Sequence, residues 1–212
     1  MSRGQGLPRI FDVLMGVAVV IVLAPVMCAC ALAVALNSRG PVFFRQTRVG
    51  RVGRPFLLYK FRTMRVSNQG PQITAEDDQR ITAVGKVLRK TKLDELPEFW
   101  NILRGDMAIA GPRPEVPRYV DLNDVRWRKV LEARPGLTDP VTVSLRNEQA
   151  LLASVPGDRE RYYIDVLLPW KLEGYLNYLV QRTWWTDLWI LWMTALAIAL
   201  PQSAQSTDLP KP

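Results

Sequence analysis

The sequence predicts a membrane-associated α/β protein, and three patterns along its 212 residues predict that class. Residues 10–36 are almost wholly apolar, as a membrane-embedded helix requires. The aromatic and β-branched runs 42–49 and 56–64 flank a glycine-containing connection, which is typical of a β-hairpin. Most of the chain beyond residue 80 repeats its apolar residues at helical spacing. These patterns favour one helix-rich domain attached to a membrane segment.

The apolar run is long enough for a transmembrane helix, but two details also allow a helix that returns to the side it entered. At about 1.5 Å per residue the run reaches roughly 40 Å, against a hydrocarbon core of about 30 Å. Pro25 lies near its middle, where it removes a backbone hydrogen bond and kinks a helix. Arg3 and Arg9 precede the run. Five arginines follow it: Arg39, Arg45, Arg48, Arg51 and Arg54. The excess of arginines after the run predicts that the main domain is cytoplasmic. The arginines before it are compatible with either a spanning or a re-entrant helix.

A cleaved secretory signal is disfavoured. Ala29, Cys30 and Ala31 resemble a small-residue cleavage site, but the apolar run continues beyond them and exceeds the 7–15 residues of a signal core. We therefore expect a membrane segment in residues 1–40 and a main domain in residues 41–201. The polar end of the chain, residues 202–212, is predicted to be disordered.

Composition disfavours several kinds of site. The chain has no histidine, which removes the commonest general base and the commonest metal ligand. Cys28 and Cys30 both lie in the apolar run, so neither a disulfide nor a zinc site is favoured. A formal net charge of +8 suits nucleic acid, an anionic membrane surface or phosphorylated ligands. Catalysis must therefore use carboxylates, hydroxyls, lysine, arginine or a bound cation.

Two helices are predicted after the hairpin and a polar loop at 66–78. The first covers residues 81–90. The second has apolar residues at spacings of 3, 4 and 3, namely Leu93, Leu96, Trp100 and Leu103. Pro97 fits only the first turn of a helix, so the second helix begins close to Asp94, and Gly105 ends it.

The C-terminal half is also predicted to be mostly helical, with helices over 119–134 and 149–174 and a short strand in 137–145. A final helix carries three tryptophans on one face: Trp185, Trp189 and Trp192. Its apolar run, 188–200, is too short to span a bilayer comfortably. A helix lying in the membrane interface is therefore favoured over an ordinary core helix.

Asp94 and Glu95 are the strongest candidate site. At the start of a helix, both carboxylates and phosphate groups are stabilised. Adjacent helical residues point about 100° apart, which favours unequal roles over the opposed carboxylates of a glycosidase. Four basic residues are candidates to neutralise a diphosphate: Lys60, Arg62, Arg89 and Arg113. A surface helix cap paired with a neighbouring Lys or Arg remains the alternative.

Four segments closely resemble motifs of the bacterial sugar transferase family: PVFFRQTRVG, YKFRTM, LDELPEFWNILRGDM and GPRPE. These are monotopic phosphoglycosyl transferases that begin glycoconjugate assembly on polyprenyl phosphate, and the resemblance covers residues 11–200. It implies a re-entrant helix broken at Pro25 and a catalytic domain on the cytosolic face of the bacterial inner membrane. It also implies that Asp94 attacks the β-phosphate of a UDP-sugar and releases UMP. The phosphosugar then passes to polyprenyl phosphate (undecaprenyl phosphate).

The resemblance further implies a Mg²⁺ site at Glu95 and Asp94. It also implies that four basic residues bind phosphate groups, namely Lys60, Arg62, Arg89 and Arg113. Asn101 and Asp106 match the motif, and for them structural hydrogen bonding is at least as well supported as a catalytic role. Nucleic acid is not an expected partner.

Two departures from the family pattern stand out. Ala24 precedes Pro25 where many members have serine, and Tyr175 stands where many carry an aspartate. The task of that aspartate is unassigned in this chain, with Asp165 and Glu173 as candidates. A membrane-tethered basic binding protein is the rival interpretation, and a one-step transfer with Asp94 as base is the rival mechanism. The sequence assigns no sugar, glycan pathway or oligomeric state.

Overall fold

The computed structural model describes residues 6–66 and 73–199. In these ranges it combines helices with two small sheets, which confirms the predicted α/β class. The helices are α1 (Arg9–Asn37), α2 (Ala83–Thr91), α3 (Glu98–Arg104), α4 (Val125–Val130), α5 (Pro140–Ser144), α6 (Glu148–Ser154), α7 (Arg159–Tyr162), α8 (Leu168–Gln181) and α9 (Trp184–Ala199). The strands are β1 (Phe43–Val49), β2 (Pro55–Phe61), β3 (Ala108–Ala110) and β4 (Gly136–Thr138). The predicted tail, 202–212, lies outside the described residues, as do residues 67–72 of the predicted loop at 66–78.

The predicted hairpin is confirmed. β1 and β2 pair antiparallel, from Phe43 opposite Phe61 to Val49 opposite Pro55. The connection contains a 3₁₀ turn with Val52 at φ 58°, a left-handed conformation that permits the tight reversal. The hairpin thereby fixes Lys60, near the end of β2, against the turn that carries the acidic pair.

The helix α1 is one 29-residue element that continues through Pro25, so the break predicted at that residue is not seen. Among the described residues it is the helix long and apolar enough to cross a membrane. Apolar side chains stay exposed along its whole length: Ile10, Leu14, Val17, Ile21, Leu32 and Leu36. A continuous apolar surface of this extent is rarely left open to water, so it indicates a partner surface or a membrane.

Charged residues near the start of α1 attach it to the domain. The guanidinium of Arg9 donates to the carbonyl of Ile102 and, at 3.1 Å, to that of Leu103. These carbonyls lie at the C-terminal end of α3, where a helix leaves its acceptors unpaired. Asp12 is buried and accepts a hydrogen bond of 3.0 Å from the amide of Ile109. Arg9 and Asp12 therefore attach α1 to the domain, in addition to any part that Arg9 has in orienting the helix in a membrane.

The C-terminal part of α1 packs on the same domain. Cys30 and Val34 are buried against Phe61 of β2 and Leu88 of α2. A helix of this length reaches about 43 Å when straight, more than the thickness of a hydrocarbon core. One domain therefore holds α1 near both of its ends.

The helix α2 begins close to where it was predicted, because the side chain of Thr82 accepts a hydrogen bond from the amide of Gly85 and caps it. A Cβ atom on Gly85 would lie 2.0 Å from the carbonyl oxygen of Thr63. Glycine thus lets α2 approach the chain that leaves β2, which brings Arg89 to the cavity described below.

The helix predicted for 119–134 is shorter in the structure, which forms only α4 there. Asp124 accepts a hydrogen bond from the amide of Arg126 and starts the helix late. The residues before it form turns, and Pro135 follows soon after the end of α4. The prediction was wrong at its start because the cap was overlooked.

The strand predicted for 137–145 ends at Thr138, where β4 pairs in parallel with β3. The amides of Val141 and Thr142 donate to the carboxylate of Asp139, which caps α5 with Pro140 in its first position. An Asp-Pro pair is a strong helix start. The predicted strand is therefore wrong beyond β4.

Candidate active site

A cavity of about 580 Å³ lies between the hairpin, the acidic turn and helices α1, α8 and α9. Its polar wall includes five basic side chains: Arg48, Lys60, Arg89, Lys92 and Arg113. Its apolar wall includes residues of α1 and α9: Met15, Val19, Leu191, Ala195 and Ile198. One cavity therefore joins a cationic surface to the two most apolar helices of the described chain.

The acidic pair lies in a 3₁₀ turn, Leu93–Glu95, between α2 and α3. Lys92 enters this turn in the left-handed conformation, at φ 58° and ψ 14°, and ends α2. Pro97 is the N-cap of α3. The pair therefore precedes α3 by one turn, which corrects the prediction that it lies within the first turn of that helix. A non-glycine residue in this strained conformation often marks a functional site.

Asp94 is buried, and its Oδ1 atom has no hydrogen-bond partner in the described part of the chain. Burial raises the pKa of this carboxyl group, while Lys60 and Arg89 favour its ionised form. Its neighbours Lys92 and Glu95 line the cavity, but Asp94 itself is not part of the cavity wall and lies buried next to them. The group is thus held close to cations with one oxygen that is buried and, among the described residues, unpaired.

Glu95 and Glu98 share the same two cations. The Nζ atom of Lys60 lies 3.0 Å from Oε1 of Glu95 and 3.1 Å from Oε1 of Glu98. The guanidinium of Arg113 contacts Glu95 closely and lies 3.6 Å from Glu98. We call these four residues and Asp94 the acidic-pair cluster. It contains three carboxylates and two directly paired cations.

The two glutamates of this cluster have opposite pKa shifts. Burial opposes the ionised form of Glu95, but Arg113 and Lys60 outweigh it and lower the pKa of that carboxyl group. Glu98, whose side chain is 1% exposed, has a raised pKa because burial outweighs the same two cations. Glu95 is therefore the principal counter-ion, and Glu98 is the group that more readily accepts a proton.

The structure brings three of the four predicted phosphate-binding residues to the cavity, namely Lys60, Arg89 and Arg113. The side chain of Arg89 donates to Oγ1 of Thr63 at 2.9 Å, which orients its guanidinium. Arg62 is placed elsewhere: it is buried and donates to the carbonyl of Ser38 at 2.6 Å, just after α1. Its contacts fix the connection between α1 and the hairpin.

Sequence reasoning missed Glu98 because it expected α3 to bury an apolar face. The inward face instead carries Glu98, Asn101 and Ile102, and Trp100 is 56% exposed. Asn101 donates to the carbonyl of Leu57 at 2.7 Å and accepts from the amide of Tyr59 at 3.1 Å. Asn101 thus fastens α3 to β2. Asp106, which accepts from Asn101 at 3.2 Å, belongs to the same structural contacts.

A second buried ionic group borders the same cavity, and sequence reasoning gave no sign of it. The Oε1 atom of Glu115 accepts from the hydroxyl of Tyr163 and from Nζ of Lys171, each at 2.7 Å. Glu148 lies 3.6 Å from the same Nζ atom. We call these four residues the α8 cluster. Although burial opposes both ionised forms, the pairing lowers the pKa of Glu115 and raises that of Lys171.

Tyr175 lies in the wall of the cavity and is fully buried. The residues proposed to replace an aspartate at this position do not reach the cavity. Asp165 pairs with Arg161 at the surface, at 3.3 Å, and Glu173 is exposed. Neither candidate therefore takes that place, because both residues are exposed on their helical segments.

The carboxylates fit a magnesium ion only in part. Among the described residues, no group of three or more His, Cys, Asp or Glu side chains is arranged to hold a metal. Mg²⁺ usually takes one or two carboxylates and completes its shell with water and substrate phosphates. The free oxygen of Asp94 suits that role, whereas Glu95 is engaged by Lys60 and Arg113.

Fold and site together present a cationic cavity suited to anionic, phosphate-bearing ligands, with an apolar helix beside it. The chain belongs to the bacterial sugar transferase family, whose model matches residues 4–200. The family predicted from the four motifs is confirmed. The individual roles of the site residues remain predictions.

Three relatives carry the names of three different sugars. The UDP-glucose:undecaprenyl-phosphate glucose-1-phosphate transferase of Caulobacter vibrioides is 34% identical, over 92% of this chain and 71% of that protein. The undecaprenyl-phosphate galactose phosphotransferase of Salmonella typhimurium is 37% identical, over 91% of this chain and 40% of that protein. The UDP-N-acetylgalactosamine-undecaprenyl-phosphate N-acetylgalactosaminephosphotransferase of Aeromonas hydrophila is 45% identical, over 61% and 32%. The chain thus spans less than half the length of two of these relatives.

Proposed function

We propose that this protein transfers a sugar phosphate from a UDP-sugar to undecaprenyl phosphate and so begins the assembly of a polysaccharide or other glycoconjugate. The observation that carries the proposal is the cavity itself, in which cations surround buried carboxylates beside an apolar wall from α1 and α9. The cationic side suits a diphosphate, and the apolar side suits the acceptor's hydrocarbon chain. The names of the relatives support the same pair of substrates.

In the first step, a carboxylate oxygen of Asp94 attacks the β-phosphorus of the UDP-sugar. The bond from this phosphorus to the oxygen bridging the two phosphates breaks, and UMP leaves with that oxygen. A phosphate oxygen of the acceptor then attacks the same phosphorus, and the acyl phosphate bond breaks to restore the Asp94 carboxylate. An acyl phosphate is reactive enough for this second transfer.

The neighbouring residues supply the electrostatics. Lys60, Arg89 and Arg113 offset the charge that would otherwise repel a carboxylate from a diphosphate. Glu98 remains as a counter-ion of Lys60 and Arg113 when substrate phosphates compete with Glu95 for these two cations. A Mg²⁺ ion, when bound by Asp94 and Glu95 with the substrate phosphates, would add positive charge at the diphosphate.

The proposed location is the cytosolic face of the bacterial inner membrane, with α1 as a re-entrant helix. This is supported by the contacts that one domain makes near both ends of α1. In a spanning helix those ends would be separated by the hydrocarbon core. The exposed face of α9, with Trp185, Trp189 and Trp192, suits the membrane interface.

Trapping the intermediate tests the reaction. Purified protein in lipid nanodiscs, given a UDP-sugar and Mg²⁺ without acceptor, is expected to gain the mass of one phosphosugar and release UMP; adding undecaprenyl phosphate should then remove the added mass. Asp94→Asn should abolish both signals, whereas Asp106→Asn, the same change within the same motif, should retain them. Turnover with no adduct at Asp94 would favour direct transfer, and absence of UMP release across a panel of UDP-sugars would favour the binding-protein interpretation.

Topology is tested with single cysteines at the two ends of α1. In a Cys28→Ala, Cys30→Ala background, Leu7→Cys and Arg39→Cys are expected to react with a membrane-impermeant maleimide from the cytoplasmic side only. Labelling of the two positions from opposite sides would contradict the re-entrant helix.

A further inference from the structure

Tyr175 is a buried polar residue that the reaction outlined above does not use. It lies within α8, is 0% exposed, and its hydroxyl has no hydrogen-bond partner in the described part of the chain. Buried hydroxyl groups in folded proteins are nearly always paired, because an unpaired one forfeits its hydration. Tyr175 also forms part of the cavity wall. A partner can therefore come from the cavity once the side chains that cover the hydroxyl move aside.

Two nearby tyrosines show that the fold supplies partners where the hydroxyl is structural. The hydroxyl of Tyr163 donates to Glu115 at 2.7 Å. The hydroxyl of Tyr178, three residues after Tyr175 on α8, donates to Asp187 at 2.7 Å. Burial alone thus does not explain the unpaired state of Tyr175.

The charges around Tyr175 indicate what kind of group it meets. Lys171 lies one helical turn before it and is already neutralised by Glu115 at 2.7 Å, with Glu148 at 3.6 Å. Arg113 also interacts electrostatically with Tyr175, and it is already paired with Glu95. A neutral hydroxyl beside a balanced ion pair matches an uncharged hydroxyl better than a phosphate.

We propose that the hydroxyl of Tyr175 hydrogen-bonds a hydroxyl group of the sugar in the UDP-sugar donor and contributes to the choice of sugar. The proposal rests on the proposed function and assigns one residue to one part of its substrate. A sugar without that hydroxyl leaves Tyr175 unpaired in the loaded cavity, and an unpaired buried group disfavours the wrong substrate.

The experiment compares Tyr175→Phe with Tyr178→Phe, the same deletion of one oxygen on the same helix. For Tyr175→Phe we expect the KM of the UDP-sugar to rise about threefold to tenfold, the worth of one hydrogen bond. Inhibition by UMP, which lacks the sugar, should not change, and the melting temperature should stay equal or rise. For Tyr178→Phe we expect a lower melting temperature with an unchanged KM.

A series of donors that each lack one sugar hydroxyl identifies the contact. One deoxy donor should be used equally well by the wild type and by Tyr175→Phe, because the bond is already absent. An unchanged KM for Tyr175→Phe, or an equal weakening of UMP, would overturn the assignment. So would a failure of that variant to fold, since the hydroxyl would then have a structural partner. A wild-type protein that releases UMP from no UDP-sugar would instead count against the proposed function.

Discussion

Two buried ionic clusters border one cavity, and they differ in how completely their charges are matched. In the α8 cluster, Glu115 has Lys171 and Tyr163 each at 2.7 Å, so every strong donor meets an acceptor. In the acidic-pair cluster, Glu95 and Glu98 divide Lys60 and Arg113 between them, and Asp94 keeps a free oxygen. The first arrangement is closed, whereas the second can still exchange partners.

The pKa shifts follow the same division. In the α8 cluster, burial disfavours the charged forms, yet pairing lowers the pKa of Glu115 and raises that of Lys171, so both stay ionised. In the acidic-pair cluster, burial prevails for Asp94 and Glu98 and raises their pKa. A site for a diphosphate and a metal ion needs charges that are not fully paired before these ligands bind, because the ligands bring charges of their own. The comparison therefore supports the proposal that the acidic-pair cluster carries out the chemistry, and it indicates a stabilising role for the α8 cluster.

The largest effect expected from this division is on stability. Glu115→Gln leaves the buried Lys171 ammonium with only the more distant Glu148, at 3.6 Å, as its counter-ion and should lower the free energy of unfolding by about 3 kcal/mol. Chemical unfolding of the variant in nanodiscs measures the loss. Adding Lys171→Met should recover most of it, since removing both partners of a buried pair often costs little. A double variant as unstable as the sum of its single changes would contradict the closed-pair interpretation.

The helices and strands were easier to predict than the pairing of buried polar and charged side chains. The hairpin and α2 follow from local signals, namely alternating aromatic and β-branched residues and the Thr82 cap. The inward face of α3 was mispredicted because Glu98 and Asn101 are buried by partners from β2, and these lie about 40 residues away in sequence. Hydrophobic periodicity cannot reveal that a polar side chain is buried when a partner distant in sequence offsets the free-energy cost of its burial.

The acidic pair itself was predictable from its basic surroundings and its motif, whereas the α8 cluster was not. Glu115 and Lys171 are 56 positions apart, and neither forms a recognisable spacing with the other. Their meeting depends on how α8 packs against the segment after β3. Such pairing is a consequence of tertiary structure, which one sequence does not reveal.

A moderate effect is expected from the same chemical change in the other cluster. Glu98→Gln removes a shared counter-ion of Lys60 and Arg113, so Glu95 holds both cations more tightly against an arriving diphosphate. We expect kcat/KM for the UDP-sugar to fall about tenfold, comparable to the loss of one hydrogen bond to a charged group. Steady-state UMP release measures it, and Glu173→Gln, at an exposed position of α8, should leave it unchanged.

The smallest expected effect is the pH dependence of stability in Glu98→Gln and Glu115→Gln. It is also the effect that best distinguishes the two clusters. Glu98 has a pKa raised by burial above the usual value of about 4.3, so the folded protein keeps a proton that the unfolded chain has released. Its contribution therefore destabilises the wild type as pH rises from about 4.3 through the native pKa. Glu98→Gln lacks this term, so its stability relative to the wild type should increase across that range.

Glu115 has the opposite shift, and its variant should respond in a different pH range. Although burial opposes ionisation, Lys171 and Arg48 lower the pKa of Glu115, so its stabilising contribution is complete above about 4.3 and is lost as pH falls through the native pKa. The deficit of Glu115→Gln should therefore be constant at neutral pH and shrink in acid. Unfolding free energies of both variants and the wild type, measured without Mg²⁺ from pH 3 to pH 8, give the two difference curves. Curves that change over the same pH range would mean that the clusters do not differ in charge matching, and the assignment of chemistry to only one of them would fail.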